Sequence, residues 1–190
     1  MFNRLTLYRK YAIAINNYIC AYPKAHTRMT MNLMFAFVFM LFGAQSQAKT
    51  ESFNFDRENF YTIIKGGNKA EIDREIDIVT SSAVSEKQAY EGFLLMRKAG
   101  AVAVPALKLR YFKQGYIKLE TAIANDKDNV EYRFLRLIIQ ENAPKIVHYH
   151  KDTEADKQMI IKSFKSLSPV VQQAVVDYSR TSKVLHSTDF

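Results

Sequence analysis

The chain has 190 residues, 48% of them apolar, with a formal net charge of +8. That hydrophobicity excludes an intrinsically disordered chain and allows one domain with its own core, or a small array of helical hairpins. Six Gly and four Pro are few for a turn-rich β sandwich and suit helices better.

The charge invites a nucleic-acid reading, but its distribution argues against one. Arg4, Arg9, Lys10, Lys24 and Arg28 lie in residues 1–48, which hold no acidic residue. All 19 acidic residues lie in 49–190, where the charge is close to balance. A nucleic-acid domain concentrates its basic charge on one surface, so no nucleic-acid partner is expected.

Residues 1–48 read as a signal or targeting segment. Leu33–Ala44 (LMFAFVFMLFGA) is an uncharged run of twelve residues. A bilayer span needs about 20, whereas a signal peptide's hydrophobic region is of this shorter length. Ser46 and Ala48 are small residues at the two positions a signal peptidase reads, so cleavage is expected after Ala48. The stretch before the apolar run is long for a signal peptide. Met29 and Met31 are in-frame alternative starts, with 1–28 then an overlong beginning. The expected destination is the periplasm or the medium, with membrane contact only through the signal segment. Cys20, the one cysteine, sits in that segment, so the mature domain is expected to carry no thiol.

Residues 49–190 read as a single helical domain. Asp56 can cap a helix over Arg57–Lys65, stopped by Gly66-Gly67. Asn68 with Glu71 resembles a capping box for a second helix carrying Ile72, Ile76 and Val79. Ser85 is the expected cap of a third, ending near Gly100. Its Ala89, Phe93, Leu94, Leu95 and Met96 go more than halfway round, which predicts a helix sandwiched between neighbours. Pro105 suits the first turn of a long helix to about Asn125. There Leu109, Phe112, Tyr116, Leu119 and Ile123 form a predicted core stripe, and Gly115 and Ala122 offer places for close helix contact. Asp128 or Asn129 can cap a fifth helix to about Asn142. Lys145–Asp152 is ambiguous between strand and loop. Thr153 with Asp156 fits another capping box, and Ser168-Pro169 starts the last helix. The tail from about Thr181 is expected to fray.

These segments predict an all-α fold of about seven helices in antiparallel hairpins. The stretch Gly115–Glu141 (GYIKLETAIANDKDNVEYRFLRLIIQE) resembles a tetratricopeptide-like junction through Ala122, Ala124, Asp126, Asn129 and Glu131, with Lys127 where that turn usually has proline. The resemblance implies a right-handed hairpin array, with an irregular helical bundle as the alternative. It also implies a scaffold that grips a protein or peptide in a concave groove lined by Tyr, Arg and Asn. Arg110, Tyr111, Arg133 and Arg136 are the candidate binding residues. The EYRFLRLIIQENAPK stretch is similar to segments of small exported helical proteins.

Chemistry-bearing clusters are few. His148 and His150 with Asp152 offer imidazole and carboxylate donors for a divalent metal. The plainer reading is a solvated loop before a helix whose first turn favours acids. Glu71, Asp73, Glu75 and Asp77 alternate along the second helix, and we read them as a solvated face rather than an acid–base pair. Lys108, Arg110, Tyr111, Phe112, Lys113 and Lys118 could track anionic lipid or phosphates, against the plainer reading of a core helix with basic stems on its outer face. No nucleophile elbow, phosphate loop or dinucleotide fingerprint is present, and no cofactor is expected. Binding to a protein or peptide is therefore favoured over catalysis, with the metal enzyme and a binder of anionic membrane surface or nucleic acid through Lys108–Lys118 as alternatives.

Overall fold

The computed structural model describes residues 54–190, and the expectations placed on residues 1–48 lie outside them. Among the described residues the order is α1 (Arg57–Gly66), α2 (Lys69–Ser81), α3 (Lys87–Ala101), α4 (Pro105–Asn125), α5 (Val130–Asn142), α6 (Thr153–Ser163) and α7 (Pro169–Ser179). Three short 3₁₀ turns complete them, at Lys145–Val147, Phe164–Ser166 and Ser187–Asp189. These residues form no strand, so the fold is all-α as predicted. None of these helices is long and apolar enough to cross a membrane.

Local chemistry sets most helix starts. The Asp56 carboxylate accepts from Glu58 N at 2.9 Å. Asn68 and Glu71 form a reciprocal capping box, and the Asn129 side chain accepts from Tyr132 N at 3.2 Å. Pro105 and Pro169 occupy first turns, where a missing N–H costs nothing.

Helices α3 and α5 are the core. Nearly every residue of α5 from Val130 to Gln140 is buried, and α3 buries Ala89, Tyr90, Phe93, Leu94, Leu95 and Met96. Helix α2 covers one side of α3, α4 runs antiparallel to it, α6 covers α5, and α1 meets α7. The α3–α4 pair crosses where Gly92 faces Gly115. A Cβ on Gly92 would sit 2.6 Å from Leu119 N, and one on Gly115 would sit 2.9 Å from Met96 N. Only glycine allows the two backbones to approach so closely.

Several local expectations are corrected. Ser85 does not cap α3; its hydroxyl donates to Glu86 Oε2, and α3 starts at Lys87 without a side-chain cap. Thr153 is the first residue of α6 and donates to His150 O and Gln140 Oε1, while Asp156 turns inward and is buried. Lys145–Val147 is a 3₁₀ turn, followed by His148 in the left-handed region at φ 50°. The tail does not fray. Leu185 is fully buried, Phe190 packs on Phe164 with ring centroids 4.6 Å apart, and Glu141 accepts from Ser182 Oγ and Lys183 N.

The α4 stripe is corrected in part. Leu119 and Ile123 are buried, but Leu109 is 69% exposed and Tyr116 is also exposed. The reason is neighbours. Among the described residues α4 has one full partner, α3, and little contact with α5. The flank holding Leu109 and Tyr116 is therefore left open.

Candidate functional site

Four helices each contribute one face to a groove of about 850 Å³. From α1 come Glu58, Tyr61, Thr62 and Lys65, spaced to share one side of the helix. Phe134, Ile138 and Asn142 project from successive turns of α5. Val170, Gln173, Ala174, Asp177 and Tyr178 come from α7, and Arg97 from α3.

The walls are aromatic and aliphatic. The Tyr61 and Phe134 rings stack with centroids 6.1 Å apart, and Tyr178 meets Phe134 edge-on at 5.8 Å. Both tyrosine hydroxyls are committed within the protein. Tyr61 Oη donates to Glu131 Oε1 at 2.8 Å. Tyr178 Oη donates to Glu141 Oε2 at 2.8 Å and accepts from Asn142 Nδ2 at 3.2 Å. Burial, with the Glu141 carboxylate beside it, pushes the Tyr178 phenol up, so it stays neutral. The groove therefore meets ring faces rather than free hydroxyls.

Arg97 is the exception. Its Nη2 donates to Ile64 O at 3.1 Å. Among the described residues no carboxylate lies within ion-pair distance of it, although twelve such contacts occur elsewhere. Burial lowers its pKa, but a guanidinium titrates so far above neutrality that the charge remains. At the rim Lys65 Nζ stands 3.5 Å from Asp177 Oδ2, bridging α1 and α7.

The four candidate binding residues do not gather into one surface. Arg110 is exposed on α4, and Tyr111 beside it carries Lys98 Nζ over its ring at 4.6 Å. Arg136 is 4% exposed. Its Nε and Nη2 donate to the two oxygens of Asp156 at 2.7 and 2.6 Å, and its Nη1 donates to Glu120 at 3.1 Å. Burial works against that charge, but the Asp156 bonds and the Glu120 and Asp152 carboxylates more than offset it and hold the guanidinium protonated. Arg133 also leans on Asp156 and donates to Lys127 O. Arg133 and Arg136 therefore brace α5 against α6 rather than face a ligand.

His148, His150 and Asp152 are not brought together either. His148 is exposed, the His150 Nε2 is buried without a partner, and Asp152 faces Arg136 at 3.6 Å. Among the described residues no three His, Asp or Glu side chains converge as metal ligands.

The acidic face of α2 is solvated at Glu71 and Asp77, but Glu75 is buried to 1% exposure. Its Oε2 accepts from Asn59 at 3.1 Å and its Oε1 has no partner. Burial raises its pKa.

Arg97 is not among the candidate residues read from the sequence. One signal was available. Arg97 directly follows the apolar run Phe93–Met96 of α3, a helix read as sandwiched between neighbours, where an arginine needs a reason. Comparison with protein-family models, curated proteins and solved structures finds no match to this chain.

Proposed function

We propose that the chain is a non-enzymatic helical module that binds a peptide or protein segment in the groove between α1 and α7. The observation that supports this reading is a groove of about 850 Å³ walled by Tyr61, Phe134, Ile138, Val170 and Tyr178 beside Arg97, a cation with no partner carboxylate among the described residues. Binding sites combine apolar walls with a few convergent polar groups in this way. The tetratricopeptide-like stretch Gly115–Glu141 is in keeping with a peptide-gripping role as a resemblance of fold. The run Leu33–Ala44 and the small residues at Ser46 and Ala48 support work in the cell envelope. Sequencing the amino terminus of the exported protein tests that placement; a chain still beginning upstream of Lys49 would argue against it.

The test of binding uses a peptide array probed with the full-length chain and with Thr62→Trp. Thr62 is exposed at the groove, so tryptophan there occupies the groove without disturbing the core. Peptides bound by the native chain and lost by Thr62→Trp support the reading. An array bound equally by both forms refutes it.

The open flank of α4 supports a second reading, attachment to an anionic membrane surface. Leu109, Tyr116 and Ile117 are exposed beside Lys108, Arg110 and Lys113. Exposed apolar residues framed by basic ones suit an interface of this kind. Co-sedimentation with phosphatidylglycerol vesicles, absent with phosphatidylcholine and lost in Leu109→Ser/Ile117→Ser, is the expected outcome. Equal behaviour on both vesicles removes this reading.

A further inference from the structure

We infer that the groove takes a peptide by its C-terminal carboxylate, with Arg97 as the group that meets it. The inference rests on the peptide-binding reading and names the chemistry of the ligand.

Arg97 has one hydrogen bond, to Ile64 O, and the remaining guanidinium donors have no acceptor among the described residues. The side chain is half-buried at the groove, and its guanidinium presents those donors in a planar fork that fits a carboxylate with two parallel bonds. The tyrosine hydroxyls of the walls do not compete for the ligand. The Tyr61 and Tyr178 hydroxyls are held by Glu131 and Glu141. Arg97 is thus a donor with capacity to spare beside the rings of Phe134 and Tyr178.

The charge pattern narrows the ligand further. The rim carries Glu58, Lys65 and Asp177, and Lys65 is engaged with Asp177. A segment rich in Asp or Glu would meet these acids on its way in. A neutral chain with one terminal carboxylate meets Arg97 with less of that repulsion. The apolar side chain next to that carboxylate fits against Phe134 and Tyr178, which pack edge-on.

The test measures fluorescence anisotropy of the full-length chain with a labelled peptide pool ending in Leu-Phe, prepared as the free acid and as the C-terminal amide. The free acid is expected to bind about tenfold or more tighter, the worth of a charge-assisted bond pair. Arg97→Gln is expected to remove the difference, and Arg97→Lys to keep part of it. Equal affinity of acid and amide for the native chain overturns the inference while leaving the groove reading intact. No binding of either form defeats both. Decanoate displacing the peptide at an equal or lower concentration overturns the choice of a peptide as the source of the carboxylate. The acid–amide comparison on the native chain needs no variant, so a folding defect in Arg97→Gln does not protect the inference.

Discussion

Replacing Asp156 with Asn tests the brace between α5 and α6. The change keeps the side chain's shape and removes its charge, leaving the Arg136 guanidinium in a site where its side chain is 5% exposed and that of Asp156 1%. Removing one partner of a buried pair costs about 3–5 kcal/mol, because the other charge is left uncompensated. Here Glu120 at 3.1 Å and Asp152 at 3.6 Å still face Arg136. Both are partly solvated, so they recover some of the loss, and the expected cost lies at the lower end, about 3 kcal/mol. For a domain of this size that is a fall in Tm of about 10 °C. Guanidinium unfolding should show a lower midpoint with an unchanged slope. Lys69→Ala removes the exposed Lys69–Asp73 contact and serves as the control, with a cost of about 0.5 kcal/mol or less. A loss below about 1 kcal/mol in Asp156→Asn would show that Arg136 is solvated in solution, and the brace would then be a surface contact.

Three further outcomes follow from the packing. Gly115→Ala pushes a methyl group against the Met96 and Gly92 backbones, so it should cost about 3 kcal/mol by overpacking; a neutral effect in thermal melts would mean that α3 and α4 do not cross there. Glu75→Gln should stabilise the protein at pH 7 and do little at pH 4. Burial raises this carboxyl's pKa, so the native state binds the proton more tightly than the unfolded chain, and its contribution falls as pH climbs from the ordinary glutamate range through the raised value. A Tm difference between variant and native that stays constant from pH 4 to pH 7 contradicts that assignment. Leu185→Ala should cost about 3 kcal/mol, as for a filled core position. A change within about 0.5 kcal/mol in urea unfolding would mean that the tail is undocked in solution.

What could be read from the chain by itself was the local part. The caps at Asp56, Asn68 and Asn129 bond to amides two or three residues away, and a proline at a first turn needs no partner at all. Such features depend on near neighbours in sequence, so all seven helices and the all-α class were legible. The wrap of apolar residues round α3 also foretold that it lies between neighbours.

Burial of single side chains was not legible, because it depends on which helix arrives opposite. Asp156 and Glu75 look like solvated acids in the sequence, yet the tertiary structure places one against Arg136 and the other beside Asn59. Leu109 keeps the spacing of a core residue and stands in the open, since among the described residues no second helix covers that flank of α4. The tail is polar enough to fray until Glu141, some forty positions earlier, is placed to hold Ser182 and Lys183. The groove belongs to the same class. Its walls come from α1, α3, α5 and α7, and periodicity within each helix sets which residues share a face. Only the packing of the four brings Arg97 to the side of Phe134 and Tyr178.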